Sequence, residues 1–161
     1  MSQENVEIVR QFFEQLNCGN VDGLSELCND AFTMDMTERV FNPDTYTGHE
    51  GIRRFHVDVR DVWKSYRWDI EERQAAGDSV VATLCCQAQG RGGGPKVDWR
   101  VAWLWRFREG EPVSLRFYRD PAHALEAAGL SEKPGQKCPH NNLRGPSRAR
   151  VAAAQRGRLP P

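Results

Sequence analysis

The chain lacks most of the sequence features that would assign a function directly. It has no apolar run near the ~18 residues that cross a membrane, and its start, Met-Ser-Gln-Glu-Asn, is too polar for a secretory signal peptide. Its five cysteines form no C-x-x-C pair, His49-Glu50 has no second pair at helical spacing, and no glycine-rich phosphate loop follows a strand. We therefore expect a cytoplasmic protein without a membrane partner, a metal site or another cofactor.

The net charge is zero, but charge is divided unevenly along the chain. Residues 131–161 carry seven basic side chains and one acidic side chain, whereas residues 1–130 carry 15 basic and 21 acidic ones. A basic tail can bind nucleic acid or a membrane surface. This tail has no aromatic residue and few aliphatic ones, so it lacks the apolar surface that offsets the entropy of ordering. We expect a folded domain over residues 1–130, a disordered basic tail over residues 131–161, and no nucleic-acid partner.

The most regular pattern lies between Val97 and Arg108, where two kinds of side chain alternate. Every odd position is large and apolar, and three of these positions are tryptophans: Trp99, Trp103 and Trp105. Successive side chains of a β-strand point to opposite faces of the sheet, so this alternation predicts a strand with one buried face. The buried face must look into a large core or a pocket.

Helical patterns come earlier in the chain than the run of strands. One apolar stripe covers residues 4–17, and a third helix begins at Gly48, with a stripe that extends as far as Trp63 and Tyr66. Helices followed by consecutive antiparallel strands predict an α+β fold, in which helices cover a face of the sheet.

One histidine interrupts the apolar stripe of the third helix: His56, directly after Phe55. A neutral imidazole in this position can act as a general base near pH 7. It can equally be a histidine of the core or of a pocket wall, hydrogen-bonded to a neighbour. The sequence leaves both interpretations open.

Two further candidates lie near the predicted first strand. Asp35 stands between Met34 and Met36, so it is solvated if the methionines face inward. A β-bulge would instead turn it inward, where burial would raise its pKa and make it a base. Tyr46 precedes the third helix, where its hydroxyl can serve as a donor at a pocket mouth or its ring can simply plug that mouth.

Three blocks of the chain carry a resemblance to a known family. The segments Phe12–Leu24, Tyr46–Arg54 and Leu115–Leu130 are similar, in order and spacing, to SnoaL-like proteins of the nuclear transport factor 2-like superfamily. The resemblance covers residues 4–130. It implies a cone, in which a strongly curved antiparallel sheet wraps around a long helix and leaves an apolar pocket at its open end. It also implies a homodimer formed through the sheet.

The resemblance does not fix a reaction, because one fold hosts many chemistries. Steroid isomerases of this superfamily use a tyrosine and two aspartates, whose positions fall on Phe12, Met36 and Trp103. None of these three can play the isomerase role. Related epoxide hydrolases use Asp and Arg, but Asp98 and Arg100 lie on the strand face opposite the tryptophans, which favours a surface ion pair or a dimer contact.

Three functional hypotheses remain. The first is a cofactor-free cyclase or isomerase that acts on a small apolar, carbonyl-bearing molecule; His56 or Asp35 moves the proton, and Tyr46 donates to the developing oxyanion. The second is a non-catalytic module that binds an apolar or aromatic compound. In the third, the tryptophans fill the cone and the domain serves for association. For the first two, the predicted ligand-binding residues are Phe12, Met36, Trp63, Trp99, Trp103 and Phe117.

Overall fold

Four helices and six strands make up the part of the chain that the computed structural model describes, residues 2–131. The predicted tail, residues 131–161, lies outside this part except for its first residue. The elements are α1 (Ser2–Cys18), α2 (Val21–Leu27), β1 (Thr33–Asp35), β2 (Thr45–Thr47), α3 (Gly48–Val62), β3 (Trp63–Ala76), β4 (Ser79–Gly90), β5 (Lys96–Arg108), β6 (Glu111–Tyr118) and α4 (Pro121–Ala127). Within residues 2–131, no helix is long and apolar enough to cross a membrane.

The strands form one curved, unclosed sheet in the order β2-β1-β6-β5-β4-β3. Only β1 and β6 are parallel; every other neighbouring pair is antiparallel. The register shifts between Ile70 and Glu72 and between Arg106 and Phe107, and such irregularities bend a strand and increase its twist. The α+β fold and its curved sheet confirm the sequence prediction.

The main core lies between the concave face of the sheet and the first three helices, α1, α2 and α3. The odd positions of β5 face this core, as their alternation predicts, and Trp103 and Trp105 are fully buried. The opposite face carries a smaller apolar cluster in which Leu125 of α4 packs with Leu104 and Tyr118. The helices therefore cover both faces of the sheet rather than one.

The boundary between α3 and β3 differs from the prediction. The helix ends at Val62, and Trp63 and Tyr66, which fit its apolar stripe, are strand residues paired with Gly90 and Ala88 of β4. From Tyr66 to Ile70 the apolar side chains stand at every second position, so Tyr66 also fits the period of a strand, and Trp63 fits it across a register shift between Trp63 and Ser65. Pairing with β4 determines that Trp63 and Tyr66 belong to a strand and not to the helix.

The start of α3 depends on a close approach of two backbone segments. Gly48 has a φ of +69°, and a Cβ there would come within 2.6 Å of the carbonyl oxygen of Asp30. Glycine tolerates this conformation at no steric cost. Its amide donates to the carbonyl oxygen of Phe32 at 2.7 Å, so the beginning of α3 is fixed against the segment that leads into β1.

Candidate functional site

The interior of the cone is filled by aromatic rings that contact each other. The ring centroid of Trp103 lies 6.3 Å from that of Phe12, 4.9 Å from that of Phe13 and 6.2 Å from that of Phe55. Three predicted ligand-binding residues, Phe12, Met36 and Trp103, are at most 1% exposed. They belong to one continuous apolar cluster, which also includes Phe117.

Two tryptophans of this interior have an unused polar group. The indole nitrogens of Trp103 and Trp105 are buried and have no hydrogen-bond partner within residues 2–131. Buried donors without an acceptor are rare in proteins. Two indole N–H groups of the interior therefore lack an acceptor among the described residues.

A second aromatic group lies where β3 and β5 begin. Trp63 and Trp99 have ring centroids 5.6 Å apart, and Phe41, from the loop between β1 and β2, contacts Trp63 edge to face at the same distance. Trp99 and Phe41 are partly exposed. The structure thus brings the predicted pair Trp63 and Trp99 together and adds Phe41, which the sequence did not single out.

A polar cluster is built around Tyr46, which β2 directs into the core. Its hydroxyl donates to Oδ2 of Asp58 at 2.6 Å, and Nη1 of Arg39 donates to the same hydroxyl at 3.5 Å. Asp58 comes from α3 and Arg39 from the loop between β1 and β2. Arg39 also lies over the ring of Phe55, 5.2 Å from its centroid. We call Tyr46, Asp58 and Arg39 the polar triad.

Burial perturbs two members of the polar triad. Desolvation, followed by the hydrogen bond to Asp58, raises the pKa of Tyr46 to about 12. Desolvation lowers the pKa of Arg39, against the opposing influence of Tyr46 and Asp58. At neutral pH Tyr46 is therefore a protonated donor, and Arg39 is a cation in an unfavourable environment.

Helix α3 can approach Tyr46 closely because of Gly51. A Cβ at this position would lie 2.9 Å from the carbonyl carbon of Tyr46. The loop between β1 and β2 is tied down next to it: Nδ2 of Asn42 donates to the carbonyl oxygen of Asp58 at 3.3 Å, and Arg54 bonds to Asp44 at 2.7 Å. The polar triad is thus held by a strand, a helix and an anchored loop.

His56 lies on a different side of α3 from the polar triad. Its Cε1 is 3.6 Å from the place that a Cβ of Gly19 would occupy, so its ring faces the turn between α1 and α2. Its Nδ1 is buried without a hydrogen-bond partner within the described range. Burial, with a smaller effect of Arg60, lowers the pKa of His56, and the imidazole is neutral at pH 7.

Asp35 lies on the face of β1 opposite the buried methionines Met34 and Met36. Its carboxylate accepts from the amide and the hydroxyl of Thr37, at 3.1 and 2.6 Å, and lies 3.8 Å from Arg116. Partial burial acts to raise the pKa of Asp35, but these hydrogen bonds and the charge of Arg116 lower it overall. The structure does not bring Asp35, His56 and Tyr46 together.

The other polar candidates have structural partners. A ring nitrogen of His49 lies 2.8 Å from the carbonyl oxygen of Cys28, and no group of His, Cys, Asp and Glu in residues 2–131 could hold a metal ion. Nε of Arg100 donates to Glu71 at 2.7 Å, on the face opposite Trp99.

Two members of the polar triad were missed by the sequence analysis. Asp58 follows Phe55 by three residues and precedes Val59, so it stands at the edge of the buried stripe of α3, and this position was the one available signal. Arg39 lies in a polar loop without periodicity, and no pattern points to it.

An unclosed, mostly antiparallel sheet, curved around helices and lined with aromatic side chains, defines the cone-shaped α+β class of proteins. Residues 9–114 match the family model of the SnoaL-like domain. The chain belongs to this family, as its resemblance predicted.

Solved structures show the same fold. They include a putative SnoaL-like polyketide cyclase from Jannaschia sp., with 18% identity and a TM-score of 0.64 over 81% of this chain and 95% of that one. A protein of ketosteroid isomerase-like fold from Catenulispora acidiphila, in complex with trimethylamine, has 23% identity and a TM-score of 0.62 over 77% and 93%. TerC, co-crystallised with polyporic acid, has 19% identity and a TM-score of 0.63 over 71% and 89%. A comparison with curated proteins found no match.

Proposed function

We propose that the protein is a cofactor-free enzyme of the cyclase or isomerase type that moves a proton on a small carbonyl-bearing molecule. The observation that carries this proposal is the 2.6 Å hydrogen bond from Tyr46 to Asp58, next to the aromatic interior. Membership of the SnoaL-like family supports it, and so do two relatives of the same fold that were solved with polyporic acid and with trimethylamine.

The Tyr46–Asp58 pair can complete a proton cycle without a cofactor. The carboxylate of Asp58 takes a proton from the carbon next to the substrate carbonyl, and an enolate forms. In a cyclisation, the enolate carbon bonds to a second carbonyl carbon, and Tyr46 gives its proton to the resulting alkoxide. Asp58 then returns its proton to Tyr46 along their hydrogen bond. In an isomerisation, Asp58 returns the proton to a different carbon, while Tyr46 and the charge of Arg39 stabilise the enolate.

His56 and Asp35 are the alternative bases. Neutral His56 is in the form that accepts a proton, but its ring faces Gly19. Asp35 is an ionised carboxylate, but it lies opposite Met34 and Met36 and bonds to Thr37. These positions favour Asp58 as the base.

The aromatic group of Phe41, Trp63 and Trp99 is the proposed contact surface for the substrate, because Phe41 and Trp99 are partly exposed and such rings can stack on a planar molecule. The buried predicted residues Phe12, Met36, Trp103 and Phe117 would form the inner wall. We also propose a cytoplasmic homodimer, as the resemblance implies. Sedimentation of the full chain at a monomer mass would refute the dimer.

Enolisation can be tested without knowing the natural substrate. β-Tetralone is a cyclic ketone fused to a benzene ring, with acidic protons next to its carbonyl, and their exchange in deuterium oxide is followed by proton NMR. We expect the protein to accelerate this exchange. Tyr46→Phe and Asp58→Asn should each reduce the acceleration by about 100-fold or more, the usual contribution of a positioned acid or base.

Matched controls separate chemistry from general damage. Tyr118→Phe, on the face covered by α4, and Asp22→Asn, on exposed α2, should exchange like the wild type. A loss in His56→Gln or Asp35→Asn, with full activity in Asp58→Asn, would move the base to that residue. If wild-type protein leaves the deuterium exchange of β-tetralone at its rate in buffer alone, the proposed enzymatic activity is refuted.

A binding module without catalysis is the second candidate, and the partly exposed Trp99, which packs against the buried Trp63, favours it. In that case an aromatic ketone would change the tryptophan fluorescence, Trp99→Ala would weaken the binding, and no exchange would be catalysed.

A further inference from the structure

Arg39 differs from Arg53 and Arg54 of α3 in that it forms no ion pair with a carboxylate of the described residues. On α3, Arg53 bonds to Glu50 at 3.4 Å and Arg54 to Asp44 at 2.7 Å, although both side chains are about half exposed. Arg39 is more buried. Within residues 2–131 it forms no ion pair with a carboxylate, and its hydrogen bond to the Tyr46 hydroxyl is a long one of 3.5 Å.

A guanidinium group stays charged and carries five N–H donors in a planar fork. Taking such a group out of water is costly unless an anion and hydrogen bonds compensate. Asp58 offsets this cost only in part. Its Oδ2 accepts the hydrogen bond from the Tyr46 hydroxyl, and Asp58 acts on Arg39 only through its charge. The ring of Phe55 adds a cation–π contact. Most of the N–H groups of Arg39 therefore make no hydrogen bond within residues 2–131 and are available to a ligand.

We propose that Arg39 binds a carboxylate of the ligand, so that the site accepts small aromatic acids in preference to neutral compounds of the same shape. The proposal rests on the proposed function only in taking the polar triad as a ligand site. A carboxylate matches the planar fork and can accept two parallel hydrogen bonds.

The surroundings of Arg39 set the direction from which such an acid binds. The negative charge of Asp58 lies beyond Tyr46 and repels a second carboxylate on that side. The acid group therefore approaches the opposite side of the guanidinium. Phe41 follows Arg39 by two residues in the same anchored loop and contacts Trp63, so one loop supplies both the cation and an aromatic contact.

The test compares two probes that differ in charge but hardly in shape, β-naphthoate and β-naphthamide, by calorimetric titration at pH 7. We expect the carboxylate to bind about 10- to 100-fold more tightly, as a charge-assisted pair of hydrogen bonds implies. Arg39→Gln should abolish this preference, and Arg39→Lys, which keeps the charge without the fork, should retain part of it. Arg53→Gln, which removes an exposed cation of α3, should retain all of it.

Three outcomes would overturn the proposal: equal affinity of the two probes, a preference that survives in folded Arg39→Gln, and no binding of β-naphthoate. Circular dichroism establishes whether each variant is folded, and Arg39→Lys carries the test if the glutamine variant is not. The exchange of neutral β-tetralone by the wild-type protein is a separate measurement. If the wild-type protein accelerates the exchange but shows no preference for the acid, this inference alone is refuted; if it prefers the acid but does not accelerate the exchange, only the proposed chemistry is refuted.

Discussion

The hydroxyl of Tyr46 is expected to stabilise the fold through its bond to Asp58. Tyr46→Phe keeps the ring, so it opens no cavity in the core. It removes the 2.6 Å hydrogen bond to a half-buried carboxylate and the acceptor of Arg39. Hydrogen bonds to charged groups contribute about 1.5–3 kcal/mol. We expect the free energy of unfolding to fall by about 2 kcal/mol, which lowers the melting temperature by about 4–8 °C in a chain of this length.

The assay is urea unfolding of wild type, Tyr46→Phe, Asp58→Asn and the double variant. If the two side chains act through one bond, the double variant loses less than the sum of the single losses, with a coupling energy of about 1–2 kcal/mol. Tyr118→Phe is the control for loss of the hydroxyl from another largely buried tyrosine. Two results would refute the reasoning. One is that the losses in free energy of unfolding are additive in the double variant. The other is a loss under about 0.5 kcal/mol in Tyr46→Phe, which is the size of an ordinary surface change.

The raised pKa of Tyr46 adds a pH dependence with a definite sign. Between the ordinary value of 10.0 and about 12, the unfolded chain has lost the phenol proton while the folded chain keeps it. The unfolded state therefore binds fewer protons, and stability falls as the pH rises through this window. Tyr46→Phe should remove the decrease in the free energy of unfolding that Tyr46 causes in this pH window. If the variant shows the same decrease as the wild type, the pKa shift does not belong to Tyr46.

The remaining predictions concern groups around the site. Burial lowers the pKa of His56, so as the pH drops below 6.5 the unfolded chain binds a proton at this residue before the folded chain does. The free energy of unfolding should therefore fall below pH 6.5, and His56→Gln should flatten this part of its pH dependence. Asn17 holds the backbone of Trp68 at the free edge of β3 by two hydrogen bonds of 2.8 Å, and Asn17→Leu should cost about 2–3 kcal/mol and speed hydrogen exchange of the Trp68 amide. The lowered pKa of Asp35 contributes stability at neutral pH that is lost as the pH falls below 3.8, and Asp35→Asn should abolish this acid-range dependence.

Much of the fold could be predicted because its strongest signals are local. The alternation in β5 fixes which side chains face inward, and the burial of Trp103 and Trp105 agrees with it. The family and the curved α+β sheet could be predicted for the same reason, since residues 9–114 keep the order and spacing of the SnoaL-like domain. A local pattern is enough for β5 because its large apolar side chains occupy every second position.

The end of α3 shows where a local pattern is ambiguous. Trp63 and Tyr66 continue the helical stripe by spacing, yet they begin β3. Two apolar residues three positions apart fit a helix, and they also fit a strand whose register shifts once, as β3 does between Trp63 and Ser65. The choice depends on β4, whose Gly90 and Ala88 lie far away in the sequence, and no window around residue 63 contains that information.

A stronger limit than the ambiguity at the end of α3 applies to the polar triad, which could not be predicted from the sequence. On a helix, a carboxylate at the border of an apolar stripe is normally solvated, and the sequence offers nothing to distinguish Asp58 from such a residue. What changes its role is that Gly51 lets α3 come close to β2, so that Tyr46 meets Asp58 inside the interface. Arg39 joins them only because Asn42 and Asp44 anchor its loop to the same helix. A site made by the contact of a helix, a strand and a loop has no signature in any one of them, and the removal of one contact, as in Tyr46→Phe, is therefore the informative test of whether the three act together.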